Sequence, residues 1–369
     1  MKTSLGIRKY DYVEFYVGSA KMVAYWYAKA LGMEIAAYKG PETGHRDRCS
    51  YLLKLNDLKI VITSALQPET VDVYSFLQKH GDGVKRWSME VDDVETACSY
   101  MLENGGIPVQ TTTKIEEKGK GFVTTASFRV YDDTEIQLVN RDNFEGNFLP
   151  GFSDPVQKLN LEFEPTGLLR IDHIVGNVRV NEMDKWVDYM NSIMDFETFV
   201  DFGPGDISTK YSALLSKVVR SKDNSIKNPV NEPFEGLRMS QIEEYIKEYK
   251  GSGIQHIAIE TECILTAIRS LRANGVEFLQ VPSTYYEQMR EAKPAIEESI
   301  DELEELGILM DFEGDGYLLQ LFTKPIGDRP TFFFEFIQRK GKSEGFGQGN
   351  FQALFEAIEL DQEKRGNLV

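Results

Sequence analysis

The chain has 369 residues, which is enough for two domains that each bury a full hydrophobic core. Its formal net charge is −18 and it has no basic cluster, so nucleic acid is not expected as a partner. No apolar run approaches the roughly 20 residues that cross a bilayer, and the amino terminus lacks the apolar core of a secretory signal, so no membrane is expected either. The 3 cysteines show neither zinc nor disulfide spacing, which favours a cytoplasmic protein.

An internal repeat organises the chain, and each copy opens with a strand followed by an amphipathic helix. In the first copy, a strand at 10–13 precedes a helix over 19–31, whose apolar positions include Met22 and Trp26. The second copy has the same order at 171–194, with apolar side chains at helical spacing. The order of strands and helices predicts an α+β fold with mixed sheets.

Two further pairs of segments extend the repeat. The segment at 83–87 matches 253–257, and each leads into a helix that ends near an Asn-Gly pair. The segment at 135–138 is matched to 318–321, because both contain a Gln between apolar residues. The distance between matched segments grows along the chain, so we expect insertions in the second copy.

Proline, glycine and polar residues cluster at 150–155 and mark the boundary between the copies. We therefore expect a first domain at 1–153 and a second at 154–369. Soluble proteins that form oligomers usually form closed symmetric assemblies, so we expect a homodimer or homotetramer.

The last part of the chain predicts a helix behind a glycine-rich segment at 346–350. Its apolar residues fall at i, i+3, i+4 and i+7, which gives one stripe of Phe351, Leu354, Phe355 and Ile358. Gly366 can cap this helix. The helix either packs permanently on the core or acts as a lid over a cavity, with the glycines as a hinge.

The segment at 329–341 surrounds Glu335 with four Phe and one Ile, which is typical of a strand buried on both sides. A buried carboxylate needs a cation or a metal ion beside it. His173 and His256 also lie in apolar, strand-like segments, whereas His45 and His80 lie in polar segments and are expected to be exposed.

Two imidazoles and one carboxylate are the ligand set of non-haem Fe(II) oxygenases, which leave three coordination positions open. A core histidine with a hydrogen-bonding role, or a glutamate held by an arginine, is the structural alternative for each residue taken alone. Agreement among three separate segments favours a metal site at His173, His256 and Glu335. The first copy has Tyr12 and Arg86 at the histidine positions, so only the second copy is expected to bind metal.

Several segments resemble the 4-hydroxyphenylpyruvate dioxygenase family of the vicinal-oxygen-chelate superfamily, over nearly the whole chain. The matching motifs lie at 171–174, 229–233, 253–258, 316–325, 334–341 and 346–351. The resemblance implies two tandem domains of βαβββ repeats, a metal-free one and a catalytic one. The catalytic domain would contain an open barrel and a carboxy-terminal lid helix. It also implies that His173, His256 and Glu335 hold Fe(II).

The resemblance assigns further residues to the substrate site. The polar ones, which would position the substrate and tune the metal, are Ser216, Asn231, Gln241, Gln255 and Gln320. Those that would contact the substrate ring are Phe322, Phe333, Phe346, Asn350 and Phe351. Asn231 could instead form a turn between prolines, Gln241 could be a solvated first-turn residue, and Gln320 could be partly structural because Gln137 matches it.

The implied reaction converts 4-hydroxyphenylpyruvate and O2 into homogentisate and CO2, with the 2-oxo acid arm supplying two electrons. The nearest competing reaction is that of 4-hydroxymandelate synthase, which uses the same substrate and attacks the benzylic carbon. Phe322 and the motif ending at Asn231 favour the dioxygenase. Two more distant functions share this fold or this ligand set, namely a non-catalytic small-molecule binding protein and an extradiol ring-cleaving dioxygenase.

Overall fold

The computed structural model describes residues 5–155, 161–203, 213–234, 236–292 and 294–366, without the side chain of Phe351. The first half forms one eight-stranded sheet with three α-helices among its described residues. In chain order these elements are β1 (Ile7–Tyr16), α1 (Ala20–Leu31), β2 (Glu34–Lys39), β3 (Arg48–Leu55), β4 (Leu58–Ala65), α2 (Val71–His80), β5 (Gly83–Val91), α3 (Val94–Glu103), β6 (Pro108–Glu117), β7 (Gly121–Val130) and β8 (Thr134–Asn140).

The second half forms another eight-stranded sheet, with six α-helices in the part of the chain that is described. In chain order these elements are β9 (Leu168–Asn177), α4 (Met183–Met194), β10 (Glu197–Phe202), β11 (Ala213–Arg220), β12 (Lys227–Phe234), α5 (Gln241–Tyr249), β13 (Gly253–Thr261), α6 (Ile264–Ala273), α7 (Ser283–Ala292), α8 (Ile300–Leu306), β14 (Leu309–Glu313), β15 (Gly316–Phe322), β16 (Phe333–Lys340) and α9 (Phe351–Arg365). None of the helices described here is long and apolar enough to cross a bilayer.

The two sheets have the same topology, which confirms the predicted tandem repeat and α+β class. The strand orders are β2-β3-β4-β1-β5-β8-β7-β6 and β10-β11-β12-β9-β13-β16-β15-β14. Each sheet therefore contains two βαβββ units whose first strands are antiparallel neighbours at its centre. Among the described residues, the end strands of each order do not pair with each other, so each barrel is open.

The strand order corrects one of the matches made from the sequence. β8 pairs in parallel with β5, and β16 pairs in parallel with β13, so β8 corresponds to β16 and not to β15. In this register Gln137 lies opposite Ser88, as Glu335 lies opposite Ala258. The counterpart of Gln137 is therefore Glu335, and its match to Gln320 was wrong. Gln320 on β15 has the same Gln-Leu sequence as Gln137, whereas its true counterpart on the neighbouring strand β16 is a glutamate, which is why the sequence alone suggested the wrong pair.

The opening helices bury their apolar faces in different ways. α4 buries the predicted stripe, which includes Met183, Trp186 and Met190. In α1, Met22 and Trp26 are exposed, so their assignment to the apolar face was wrong. That helix buries mainly alanines, because small side chains let it lie close to the sheet.

The second half carries the expected insertion, since α7 and α8 stand between α6 and β14 and the first sheet has no described counterpart there. The predicted terminal helix is α9, and Gly366 ends it in the left-handed conformation with φ of 73°. Ser153 exchanges two backbone hydrogen bonds with Tyr38, which attaches the chain up to this residue to the first sheet. The domain division after residue 153 remains a prediction.

Buried polar contacts join the two halves. The hydroxyl of Tyr10 donates to the Lys227 carbonyl at 2.6 Å and accepts from the Lys227 amide at 3.2 Å. His80 is fully buried, contrary to the expectation from its polar segment, because its Nδ1 contacts the Tyr249 carbonyl at 2.7 Å. Asp133, 2.9 Å from Nε2 of the same ring, holds its other side.

We expect Tyr10→Phe to destabilise the protein by about 1–3 kcal/mol, because the Lys227 amide and carbonyl lose their buried partner. The measurement is the urea midpoint by circular dichroism. Tyr74→Phe is the control, since Tyr74 is 44% exposed. Equal midpoints for the two variants would show that the Tyr10 hydroxyl does not hold the halves together.

Candidate metal centre and active site

Three neighbouring strands carry the predicted ligands: His173 lies on β9, His256 on β13 and Glu335 on β16. The strand register aligns them, because Ala258 on β13 is the cross-strand partner of both His173 and Glu335. His256 lies two residues before Ala258, and residues two apart in a strand point to the same side of the sheet. All three ligands therefore face the interior of the second barrel.

The ligand atoms lie close enough to share one ion. Glu335 Oε2 lies 3.2 Å from His173 Nε2 and 3.3 Å from His256 Nε2. One ligand atom from each of the three residues lies within 4.8 Å of the others. Neighbouring ligands of an octahedral ion, each about 2.1 Å from the metal, are about 3 Å apart. The two separations from Glu335 match this spacing, so the arrangement fits a single metal ion held by all three residues.

Ala258 keeps the centre of this row open. Its side chain faces the same side as His256, and it is fully buried between the strands of His173 and Glu335. A larger side chain there would occupy the space that the three ligands enclose.

A second layer of contacts orients both imidazoles. His173 Nδ1 lies 2.7 Å from Asp172 Oδ1, and His256 Nδ1 lies 3.0 Å from Gln255 Oε1. Because these oxygens can only accept, each Nδ1 carries the hydrogen and each Nε2 is left as the ligand atom. Arg339 holds Asp172 by two hydrogen bonds of 2.8 Å. Arg339 is therefore paired with Asp172, and not with Glu335 as the structural alternative from the sequence would require.

The protonation equilibria suit metal binding. Burial acts to raise the pKa of Glu335, but His173 and His256 outweigh it and lower that pKa to about 2, so the carboxylate is ionised. Burial lowers the pKa of His256, which keeps that imidazole neutral. Burial also acts to lower the pKa of His173, but the carboxylates of Glu335 and Asp172 raise it above its usual value. A metal ion at this centre therefore competes with a proton for His173.

The cavity beside the three ligands is lined by most of the predicted substrate residues. Those that line it are Ser216, Asn231, Gln241, Gln255, Phe322, Phe333 and Phe346. Asn231 lies within β12, beside Ser216 on β11, and so does not form the turn considered from the sequence. Gln241 is the first residue of α5 and nevertheless reaches the cavity.

Aromatic rings surround the histidines. Phe333 stacks on His256, with ring centroids 4.8 Å apart and planes 18° apart. Phe322 meets the edge of the same imidazole at 6.0 Å. Phe346 meets His173 edge-on at 5.1 Å. These contacts keep the metal ligands in an apolar surrounding, open on the side of the cavity.

Three predicted residues are not among the cavity lining. Gln320 is fully buried on β15 with both amide atoms unpartnered among the described residues. Asn350 is fully buried just before α9, and its Oδ1 accepts from the Tyr285 hydroxyl at 2.8 Å. The side chain of Phe351 lies outside the described structure. The roles of all three residues stay predictions.

An apolar wall of the cavity was missed in the sequence. It includes Leu214 and Val218, which flank Ser216 at alternate positions of β11, and Phe355 of α9. The period of two in β11 was the available signal. The cavity has a volume of about 60 Å³, which is room for only a few water molecules. Because Leu354 and Phe355 of α9 form part of the wall, a ligand larger than this volume fits only if side chains of the wall move.

The first barrel holds a different set of side chains at the same positions. Tyr12 and Gln137 are hydrogen-bonded to each other, and Ser88 donates to Gln137 at 2.8 Å. The guanidinium of Arg86 lies 3.0 Å from Glu14 and 3.2 Å from Glu135. The centre of the first barrel therefore contains a positively charged side chain, the guanidinium of Arg86.

A family model described as the Glyoxalase/Bleomycin resistance protein/Dioxygenase superfamily matches residues 170–321. Among solved structures, the chain is similar to a mutant of 4-hydroxymandelate synthase from Streptomyces coelicolor. The TM-score is 0.83 at 27% sequence identity, and the match covers 98% of this chain and 100% of the other. This match confirms the two-barrel fold.

Closer relatives align along nearly the whole chain. The chain is 46% identical to 4-hydroxyphenylpyruvate dioxygenase of Yarrowia lipolytica, over 98% of this chain and 94% of that protein. It is 43% identical to the enzyme of the same name from Caenorhabditis elegans, over 97% of this chain and 93% of that protein. The repeated fold and the converging ligand set agree with this similarity. The chain therefore belongs to the 4-hydroxyphenylpyruvate dioxygenase family of the vicinal-oxygen-chelate superfamily.

Proposed function

We propose that this protein is an Fe(II)-dependent enzyme that converts 4-hydroxyphenylpyruvate and O2 into homogentisate and CO2. The observation that carries the proposal is the convergence of His173, His256 and Glu335 at a cavity with aromatic side chains in its wall. Bound Fe(II) would supply the electronic route by which O2 reacts with the closed-shell 2-oxo acid. Three ligands leave room for a bidentate oxo acid and O2.

The cavity beside the metal ligands is also lined by a polar pair on β11 and β12, so it offers polar groups both for the oxo acid and for the ring hydroxyl of the substrate. We propose that Ser216 and Asn231 bind the ring hydroxyl. The amide nitrogen of Asn231 faces the Asn177 oxygen at 3.4 Å, so the Asn231 oxygen is left to accept from the substrate.

The glutamines are proposed to act nearer the metal. The Gln255 oxygen accepts from His256, so its amide nitrogen remains to donate to the oxo acid. Gln241 lines the same cavity from the start of α5. Gln320, buried without partners in the described structure, is proposed to complete this set once the substrate is bound.

The aromatic and apolar side chains are proposed to hold the ring and to exclude water. Phe322 and Phe333 stand at right angles to each other, 76° between ring planes, beside His256. Such a corner favours edge and offset contacts with a phenyl ring. A dry site prevents water from intercepting the oxidising species before it meets the ring.

Product identity distinguishes the proposed reaction from the synthase reaction. Incubation of the iron-loaded protein with 4-hydroxyphenylpyruvate and O2 is expected to give homogentisate, because Phe322 holds the ring toward the metal. Chromatography with both standards is the measurement. A product that is mainly 4-hydroxymandelate would overturn the assignment, and consumption of neither O2 nor substrate would indicate a binding protein.

Glu335→Gln is expected to lose most bound iron and to lower turnover by more than about a hundredfold, because the amide carries no charge for the ion. Iron content per chain and O2 uptake are measured on the same samples, with circular dichroism to verify folding. Glu162→Gln, at an exposed position of the second half, is the control and should match the unmodified protein. Full iron occupancy in Glu335→Gln would remove this residue from the ligand set.

Deletion of 346–369 tests whether the terminal helix is a lid. Since the metal ligands lie on β9, β13 and β16, the shortened chain should keep most of its iron and lose at least about tenfold in turnover. A chain that ends at Gly366 retains α9 and is the control. Unchanged turnover after the longer deletion would mean that the helix only covers the barrel.

A further inference from the structure

A second cavity, of about 520 Å³, lies between the two halves at the other end of the second barrel. Its wall includes Tyr10 of the first half and Lys227, Asp172 and Arg339 of the second. None of its lining residues lines the active-site cavity. Asp172 and Arg339 separate it from the metal ligand His173.

Lys227 is the unusual residue of this cavity. It is the first residue of β12 and is only 7% exposed. Its side chain lies on the same side of the strand as Pro229 and Asn231, so it points into the barrel. Its ammonium group has no hydrogen-bonding partner in the described structure, and the centre of the Phe346 ring lies 5.9 Å away.

The nearby charged groups are engaged elsewhere. Asp172 accepts from Arg339 through both oxygens and from His173 through one of them. The remaining nitrogen of Arg339 donates to the Gly345 carbonyl at 2.7 Å. The charge of Lys227, on a residue that is mostly buried, is therefore left without a hydrogen bond from these groups.

The other charges at the cavity leave a net surplus of unpaired cations. Among the acidic residues of the wall, Asp57 pairs with Lys9 at 3.0 Å and Glu260 with Arg170 at 2.6 Å. Glu344 makes a looser contact of 3.5 Å with Arg220. Lys342, exposed at the mouth, has no charged partner among the described residues.

We infer that this cavity binds a compact oxyanion, a carboxylate or phosphate group, with Lys227 at its floor and Lys342 at its mouth. Such an anion supplies the acceptors that the buried ammonium lacks, in a charge-assisted hydrogen bond. Burial lowers the pKa of Lys227, and the negative charge of Asp172, which acts in the opposite direction, does not outweigh it. The inference concerns the protein without iron or substrate, so it stands independently of the proposed reaction.

Inorganic phosphate and acetate are the probes, at millimolar concentration with ionic strength held constant by sodium chloride. Calorimetry should show saturable binding of at least one of them, and the melting temperature should rise with its concentration. A response to phosphate alone assigns the site to phosphate groups, and a response to acetate alone assigns it to carboxylates. No saturable binding of either probe would overturn the inference.

Lys227→Met is the decisive variant, because it keeps the apolar stem and removes the charge. It should weaken anion binding by about tenfold or more, the value of one charged hydrogen bond. Without anion it should melt at the same temperature as the unmodified protein or higher, since a charge without a hydrogen-bonding partner has been removed from a mostly buried residue. Unchanged anion affinity in this variant would overturn the inference.

Two surface variants make the test independent of any folding defect in Lys227→Met. Glu344→Gln should tighten anion binding, because it removes a negative charge from the mouth, and Lys342→Met should weaken it. Lys118→Met, at an exposed position in the turn between β6 and β7, is the matched control and should leave the affinity unchanged. Equal affinity in all of these variants would mean that the anion binds elsewhere.

Discussion

The strand register at the centre of the second sheet is the constraint on which the site depends. Ala258 faces His173 on one neighbouring strand and Glu335 on the other, so ligands far apart in sequence meet in one row. A shift of one residue in either pairing would turn a ligand to the opposite face. Buried apolar residues between the ligand positions, such as Ile257 and Phe334, specify this register. Their side chains must face the hydrophobic core on the opposite side of the sheet from the ligands.

The fold could largely be read from the sequence because each unit repeats the same pattern of one strand, one helix and three strands. The ligands could be found because His173, His256 and Glu335 interrupt apolar strands. A polar side chain is stable in such a strand only if a partner or a metal ion compensates its burial. The role of Arg339 could not be found in this way. Its partner Asp172 is distant in sequence, and only the closed barrel brings the two together.

Other features depend on pairing between strands and could not be derived from a local pattern. The match of Gln137 was wrong because the neighbouring strands β15 and β16 each carry a polar residue between apolar ones, and the one on β15 is also a glutamine. His80 was placed on the surface because its neighbours are polar, yet the second half covers it. The apolar wall provided by Phe355 requires α9 to fold over the barrel mouth, which periodicity alone does not indicate.

The contrast between the two barrels has a consequence for how the protein is assembled in the cell. The first barrel receives its central positive charge from Arg86 as soon as the chain is synthesised, and Glu14 and Glu135 neutralise it. The second barrel encloses a carboxylate and two imidazoles, which could receive a comparable charge only from a bound metal ion. Metal starvation should therefore leave one barrel complete and the other loosened, so that newly made chains would be most vulnerable to proteases in their second half.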